Sequence, residues 1–333
     1  MNTTLCAAAA ALTVALLAAS HPARAADAPA TAGGKTAYKV ATTIKTDGQG
    51  DILAIRADTD GRRLYVARKG AVEVIDLDAG NKIGQVTVGG QVSAIALSPE
   101  TGRGYATSTG ENTVTMFDLK SLQALKTVKS TGEAPGAIEF EPKSKRLFVS
   151  HQKGGKLVAM SPDTLAVAGS ATLGDRLRGI TADSRGNLFV ADEAQDALHV
   201  LDTTTLKSRG LISVWPASKP TALVNDDRER RIYTATASGR MVVIDPDIGQ
   251  MVGYVPIGKG DGGIAAQFAP NRFVRLFVPT ADGQLTVVQN AKLTATVEST
   301  LPSAGVKGSG VAIDGKSGKA YVANSGDILV LAK

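Results

Sequence analysis

Three observations predict an all-β fold built from repeats. An aromatic residue with small apolar neighbours returns at a steady interval. Tyr65, Tyr105, Phe148, Phe189, Tyr233, Phe277 and Tyr321 lie 40, 43, 41, 44, 44 and 44 residues apart. Seven of the chain's 14 aromatic residues sit in this one slot, so the interval belongs to the architecture and not to chance composition. After Tyr38 the apolar residues fall in short runs with period-two alternation, and no long helical periodicity appears. Turn signals such as Asp60-Gly61, Thr101-Gly102 and Arg185-Gly186 separate the runs, in a chain with 36 glycines.

Each repeat reads as four strands. In the second, Ser93–Leu97 is followed by the turn Pro99–Gly102, then Gly104–Thr107, Val114–Phe117 and Leu122–Val128. An acid follows the third strand in four repeats, at Asp76, Asp118, Asp202 and Asp245. A carboxylate there accepts hydrogen bonds from the next backbone N–H groups and holds the turn. Four short antiparallel strands in 40 to 45 residues mark a propeller blade, which predicts a seven-bladed β-propeller over residues 38–333 as one domain. The seventh repeat stops after its third strand, at Leu331-Ala332-Lys333. The segment Tyr38–Ile44 is expected to supply the missing strand and close the last blade.

Residues 1–25 read as a secretory signal peptide. Ala7–Ser20 is apolar, and Ala23-Arg24-Ala25 has the A-x-A cleavage pattern, although Met1–Thr4 lacks a basic side chain. Residues 26–37 are small and polar and form a flexible leader. The expected location after cleavage near Ala25 is periplasmic or secreted. Cys6, the only cysteine, leaves with the signal. The mature chain then has no means of forming disulfides, Cys-ligated zinc or a covalent c-type haem. No cofactor is called for, and no transmembrane segment is expected in the mature chain, which reads as a monomer.

The repeats resemble the YVTN family of bacterial seven-bladed propellers. Tyr321-Val322-Ala323-Asn324 departs from that motif at one position, and Tyr65-Val66-Ala67 with the acid after the third strand fits the same consensus. The resemblance implies the propeller fold and an exported protein, and says little about activity.

Two motifs lose their chemical meaning in this setting. Gly310–Ser317 matches G-x-x-x-x-G-K-[ST], and Gly258–Gly263 matches G-x-G-x-x-G. Both lie between strands, whereas phosphate and dinucleotide binding require a loop that leads into a helix. His199 alternates with Leu198 and Val200 as a strand-face residue, and His151 opens a loop. Nothing resembles G-x-S-x-G, H-E-x-x-H or a Ca²⁺ loop.

In propellers the links between blades and the second-to-third-strand loops ring one mouth of the central channel. That rim holds charges of both signs, including His151, Arg176, Arg178, Asp192, Lys219, Lys259 and Asp261. One slot of the first strand varies between repeats, holding Arg56, Ala96, Glu139, Thr181, Val224, Gln267 and Ala312. Its polar members either reach the channel or sit between blades as paired groups. Arg56, Glu139 and the rim residues are therefore the candidate ligand contacts.

The leading functional expectation is an exported binding scaffold for a polar small molecule or a periplasmic protein at the channel mouth. One alternative is a metal-dependent hydrolase resembling lactonases, using rim or first-strand carboxylates. A second is binding of nucleic acid or an anionic surface by the opposite face. There the first-to-second-strand turns carry Arg62, Arg63, Arg103, Arg228, Arg230, Arg231 and Arg272, and the formal charge of +6 concentrates. Few aromatics interleave with these arginines, which argues against base stacking.

Overall fold

The computed structural model describes residues 37–46, 50–260, 262–269, 273–291, 294–302 and 310–333. The signal peptide, Cys6, the leader up to residue 36, Asp261, Arg272 and Lys307 lie outside the described residues. Among those described, 27 strands and one 3₁₀ turn, Pro99–Thr101, make an all-β fold.

The expected seven-bladed propeller, with seven separate four-stranded blades, is corrected here. Hydrogen bonding makes six antiparallel sheets, five of four strands and one of seven, and none is closed into a barrel. The cause is local. Lys82–Ser98 runs as one strand of 17 residues, pairing through Val72↔Val86 with the first repeat and through Ile95↔Ala106 with the second. Gly89 and Gly90, at φ 87° and 56°, bend the chain there, so the link stays inside the ladder. Lys39–Ile44 pairs antiparallel with Asp327–Ala332, with Thr43 opposite Leu329, in the sheet that also holds Ala320–Asn324 and Val311–Ile313.

The sheets are joined to one another by side chains. Seven buried clusters each draw on two neighbouring repeats. One packs Ile55, Leu64 and Ile75 of the first repeat against Tyr321, Ile328 and Val330 of the seventh. The recurring aromatic anchors these seams. Tyr65, Tyr105, Phe148, Phe189, Tyr233, Phe277 and Tyr321 are all buried, and the hydroxyls of two of the tyrosines are hydrogen-bonded. Tyr105 donates to the Pro162 carbonyl at 3.0 Å, and Tyr233 accepts from Asn290 Nδ2 at 2.8 Å.

The turns are held by carboxylates. Asp76 accepts from Asp78 N and Ala79 N at 2.8 Å each, and Asp202 from Thr204 N and Thr205 N at 2.9 and 2.7 Å. A second acid set after the first strand does the same work. Glu141 accepts from Lys143 N and Ser144 N at 2.9 and 2.7 Å, and Asp183 from Arg185 N and Asn187 N at 2.9 and 2.8 Å.

Candidate functional site

The first strands of the repeats follow one pattern where they converge. Ala54-Ile55, Ala94-Ile95, Ala137-Ile138, Gly179-Ile180, Ala222-Leu223, Gly263-Ile264 and Gly310-Val311 each place a small residue before a branched or larger aliphatic one. Close approach demands the small residue: a Cβ on Gly179 would lie 2.9 Å from the Ala222 Cα. All seven small residues line a common central cavity of about 200 Å³. A second chamber of about 340 Å³ shares the Arg56, Ile180, Leu223, Ile264 and Val311 lining and extends toward the first-to-second-strand turns.

The variable slot largely faces this interior. Arg56, Glu139, Thr181, Val224 and Ala312 line the larger chamber. Gln267 does not. The register places Ala265, two residues earlier, opposite Phe277, and Gln267 lies between the sixth and seventh repeats, where its Oε1 accepts from Tyr38 Oη at 2.8 Å. Arg178 lines the smaller chamber with Gln152, and its Nε is 3.6 Å from a Glu193 carboxylate oxygen.

Arg56 and Glu139 are the charged pair of the larger chamber. The Arg56 guanidinium is exposed to the cavity, with a long 3.4 Å contact to its neighbour's Ile55 carbonyl. No carboxylate oxygen stands within ion-pair distance of it among the described residues. Glu139 is half-buried at the cavity wall. Desolvation pushes its carboxyl up to about 7; Arg56 pulls the other way, and Glu141 adds a further push upward. A carboxyl poised near neutrality inside a cavity is the strongest chemical signal in the molecule.

The rim residues are occupied by the fold. His151 is buried, its Nδ1–H donating to the Lys156 carbonyl at 2.7 Å and its Nε2 accepting from Ser130 Oγ at 2.6 Å. Burial lowers its pKa, so the ring is neutral. Asp192, also buried, holds Ala194 N at 2.9 Å and lies 3.1 Å from His199 Nε2. The alternation of His199 with Leu198 and Val200 gave no sign of that partner. Arg176 pairs with Glu193 at 3.0 Å. Lys219 and Lys259 are exposed at the surface, where their backbone groups bond Asp196 Oδ1 at 2.7 Å and Ala281 N at 2.9 Å. The structure thus brings together Arg56, Glu139 and Arg178 along the cavity and leaves the other described candidates apart. Binding at a propeller's channel mouth is corrected as well, because the sheets are not closed into a propeller.

The two alternatives meet the same test. Among the described residues no group of three or more His, Cys, Asp or Glu could hold a metal ion. The arginines of the turn face are largely matched by acids. Arg62 bonds Asp78 at 2.6 Å and Asp314 at 2.8 Å, Arg231 bonds Asp245 at 3.0 Å, and Asp247 bridges Arg185 and Arg230. The lysine of the P-loop-like match pairs with Asp60 at 3.0 Å, and Asp314 occupies the Lys316 N–H at 3.1 Å. No helix among the described residues is long and apolar enough to cross a membrane.

No family model and no curated protein matches the chain. The solved Kuenenia stuttgartiensis hydrazine synthase is similar in fold, with a TM-score of 0.74 at 15% identity over 88% of this chain and 98% of that one. The resemblance to YVTN propellers is corrected by these findings. The recurring Tyr-Val-Ala motif reflects a buried strand that any such packing of sheets requires, and it does not carry family membership.

Proposed function

We propose that the protein binds a small organic anion inside the central cavity, anchored by Arg56. One observation carries this reading: a guanidinium exposed to an open chamber with no counter-ion within ion-pair distance among the described residues. A guanidinium without a carboxylate partner keeps its planar fork of donors free, and a ligand carboxylate or phosphate would satisfy it. Ligand sites are concave and set polar groups among apolar side chains, and this chamber sets Arg56, Glu139, Thr181 and Asn225 among aliphatic residues.

The test is thermal unfolding against a panel of small anions: acetate, butyrate, benzoate, phosphate and sulfate. At least one is expected to raise the midpoint of the intact chain, because a ligand that binds only the folded state stabilises it. Arg56→Ala should abolish the rise, whereas Lys219→Ala and Lys259→Ala should keep it. An equal rise in Arg56→Ala, or none in the parent chain with any anion, overturns the reading.

A further inference from the structure

Resting on that reading, we propose that the larger chamber takes a monocarboxylate with a short apolar tail, its carboxylate held between the Arg56 guanidinium and the Glu139 carboxyl in its protonated form. Three features of the chamber lead there. Its lining carries the aliphatic side chains of Ile180, Leu223, Val224, Ile264, Val311 and Ile313, with Thr181 and Asn225 as its uncharged polar members, and a short hydrocarbon tail can pack against the aliphatic part. Its volume of about 340 Å³ lies at the small end of ligand sites, which span roughly 300–1,000 Å³. Its two charged groups come from different repeats and face one space, and Glu139 has no hydrogen bond or ion pair with another described residue.

The charge balance decides the protonation state. With Glu139 ionised, Arg56 and Glu139 sum to zero and the carboxylate repels an arriving anion. With Glu139 protonated, the chamber carries one positive charge and offers an O–H donor. The other groups facing Glu139 do not change this. Glu141, on the same strand, is committed to Lys143 N and Ser144 N, and the adjoining strands contribute the uncharged Thr181 and Asn225. One anion therefore enters together with one proton. Glu139 in the empty chamber is poised near neutrality, so above that point a proton must be taken up from solution as the ligand binds.

Calorimetric titration of the whole chain with butyrate, hexanoate and benzoate tests this, with butyramide and phosphate as controls. Affinity should fall about tenfold for each pH unit above about 7, with about one proton taken up per ligand at pH 8, measured by comparing buffers of different ionisation enthalpy. Glu139→Gln, which keeps a hydrogen-bond donor, should bind with an affinity that no longer varies between pH 6 and 8. Butyramide should not bind. Carboxylate binding that depends on Arg56 but keeps its pH dependence in Glu139→Gln would overturn the proton linkage and leave the Arg56 reading standing. Binding of phosphate but of no monocarboxylate would do the same. Failure of every anion would overturn both.

Discussion

Tyr38 meets Phe277 edge to face, with ring centroids 4.9 Å apart and planes at 89°. The contact crosses from the N-terminal strand segment to the sixth repeat, and the Lys333 ammonium lies 5.3 Å from the same Tyr38 ring. Beginning and end of the described chain are thereby fastened to one seam, beside Leu285, Val287 and Leu331.

Tyr38→Ala should lower stability by about 3 kcal/mol, the usual cost of emptying a buried aromatic site. A chain beginning at Thr46, which lacks the whole Lys39–Ile44 strand, should lose more and aggregate through the uncovered Asp327–Ala332 edge. Urea midpoints and light scattering measure both, and a truncated chain that melts with the intact one would show the strand to be dispensable.

Arg68 and Glu73 form a buried ion pair at 2.7 Å, and Arg68 also donates to the Gly50 carbonyl at 2.8 Å and the Gly326 carbonyl at 2.5 Å. Arg68→Ala strands Glu73 with Lys82 at 3.0 Å as its remaining partner and should cost about 3–5 kcal/mol. The double variant with Glu73→Ala should recover part of that loss, as a double-mutant cycle in urea would show.

Glu139 should make stability fall as pH rises. Its folded pKa of about 7 lies above the unfolded value of 4.5, so the folded state holds the extra proton between them. The contribution is complete below pH 4.5 and is lost as pH climbs through 7. Glu139→Gln should gain stability over the parent chain at pH 8 relative to pH 4, by comparison of unfolding midpoints. An identical pH dependence in the two chains contradicts the raised carboxyl.

His151 works in the opposite direction. Its folded pKa is lowered from 6.5, so the unfolded chain takes up the proton first on acidification. The stability it lends is present above pH 6.5 and is lost as pH falls below that value toward the folded pKa. His151→Gln should flatten that part of the curve. It should also cost about 1–3 kcal/mol at pH 8, because the bonds to Ser130 and Lys156 are remade imperfectly.

The strands were legible in the sequence because alternation and the aromatic interval report burial directly. Tyr65 and its counterparts could only be core residues at that spacing. The carboxylates after the third strands were equally readable, since an Asx turn is a local structure. The number of sheets was not, because it turned on whether Gly89-Gly90 would break a ladder or bend it. The site was half visible. Arg56 and Glu139 stood out as charges in an otherwise small or apolar slot, but that slot was misplaced by two residues at Gln267. The rim candidates misled because their partners are distant or conformational: Asp192 finds His199 across a strand pair, and Ser130 finds His151 from another loop. The Ala or Gly before each inner aliphatic residue was the overlooked signal for the cavity.

The 17-residue strand Lys82–Ser98 joins two repeats in one seven-stranded sheet through its bend at Gly89-Gly90, while the other sheets are joined to their neighbours by connecting segments and side-chain packing. Arg56 projects from that seven-stranded sheet, and Glu139 from the next sheet along. Arg56 and Glu139 therefore face the chamber from two sheets held together by side-chain packing and not by a shared ladder. Hydrogen exchange should be slow in the paired parts of residues 82–98 and faster at Gly89-Gly90 and in the link at residues 130–132.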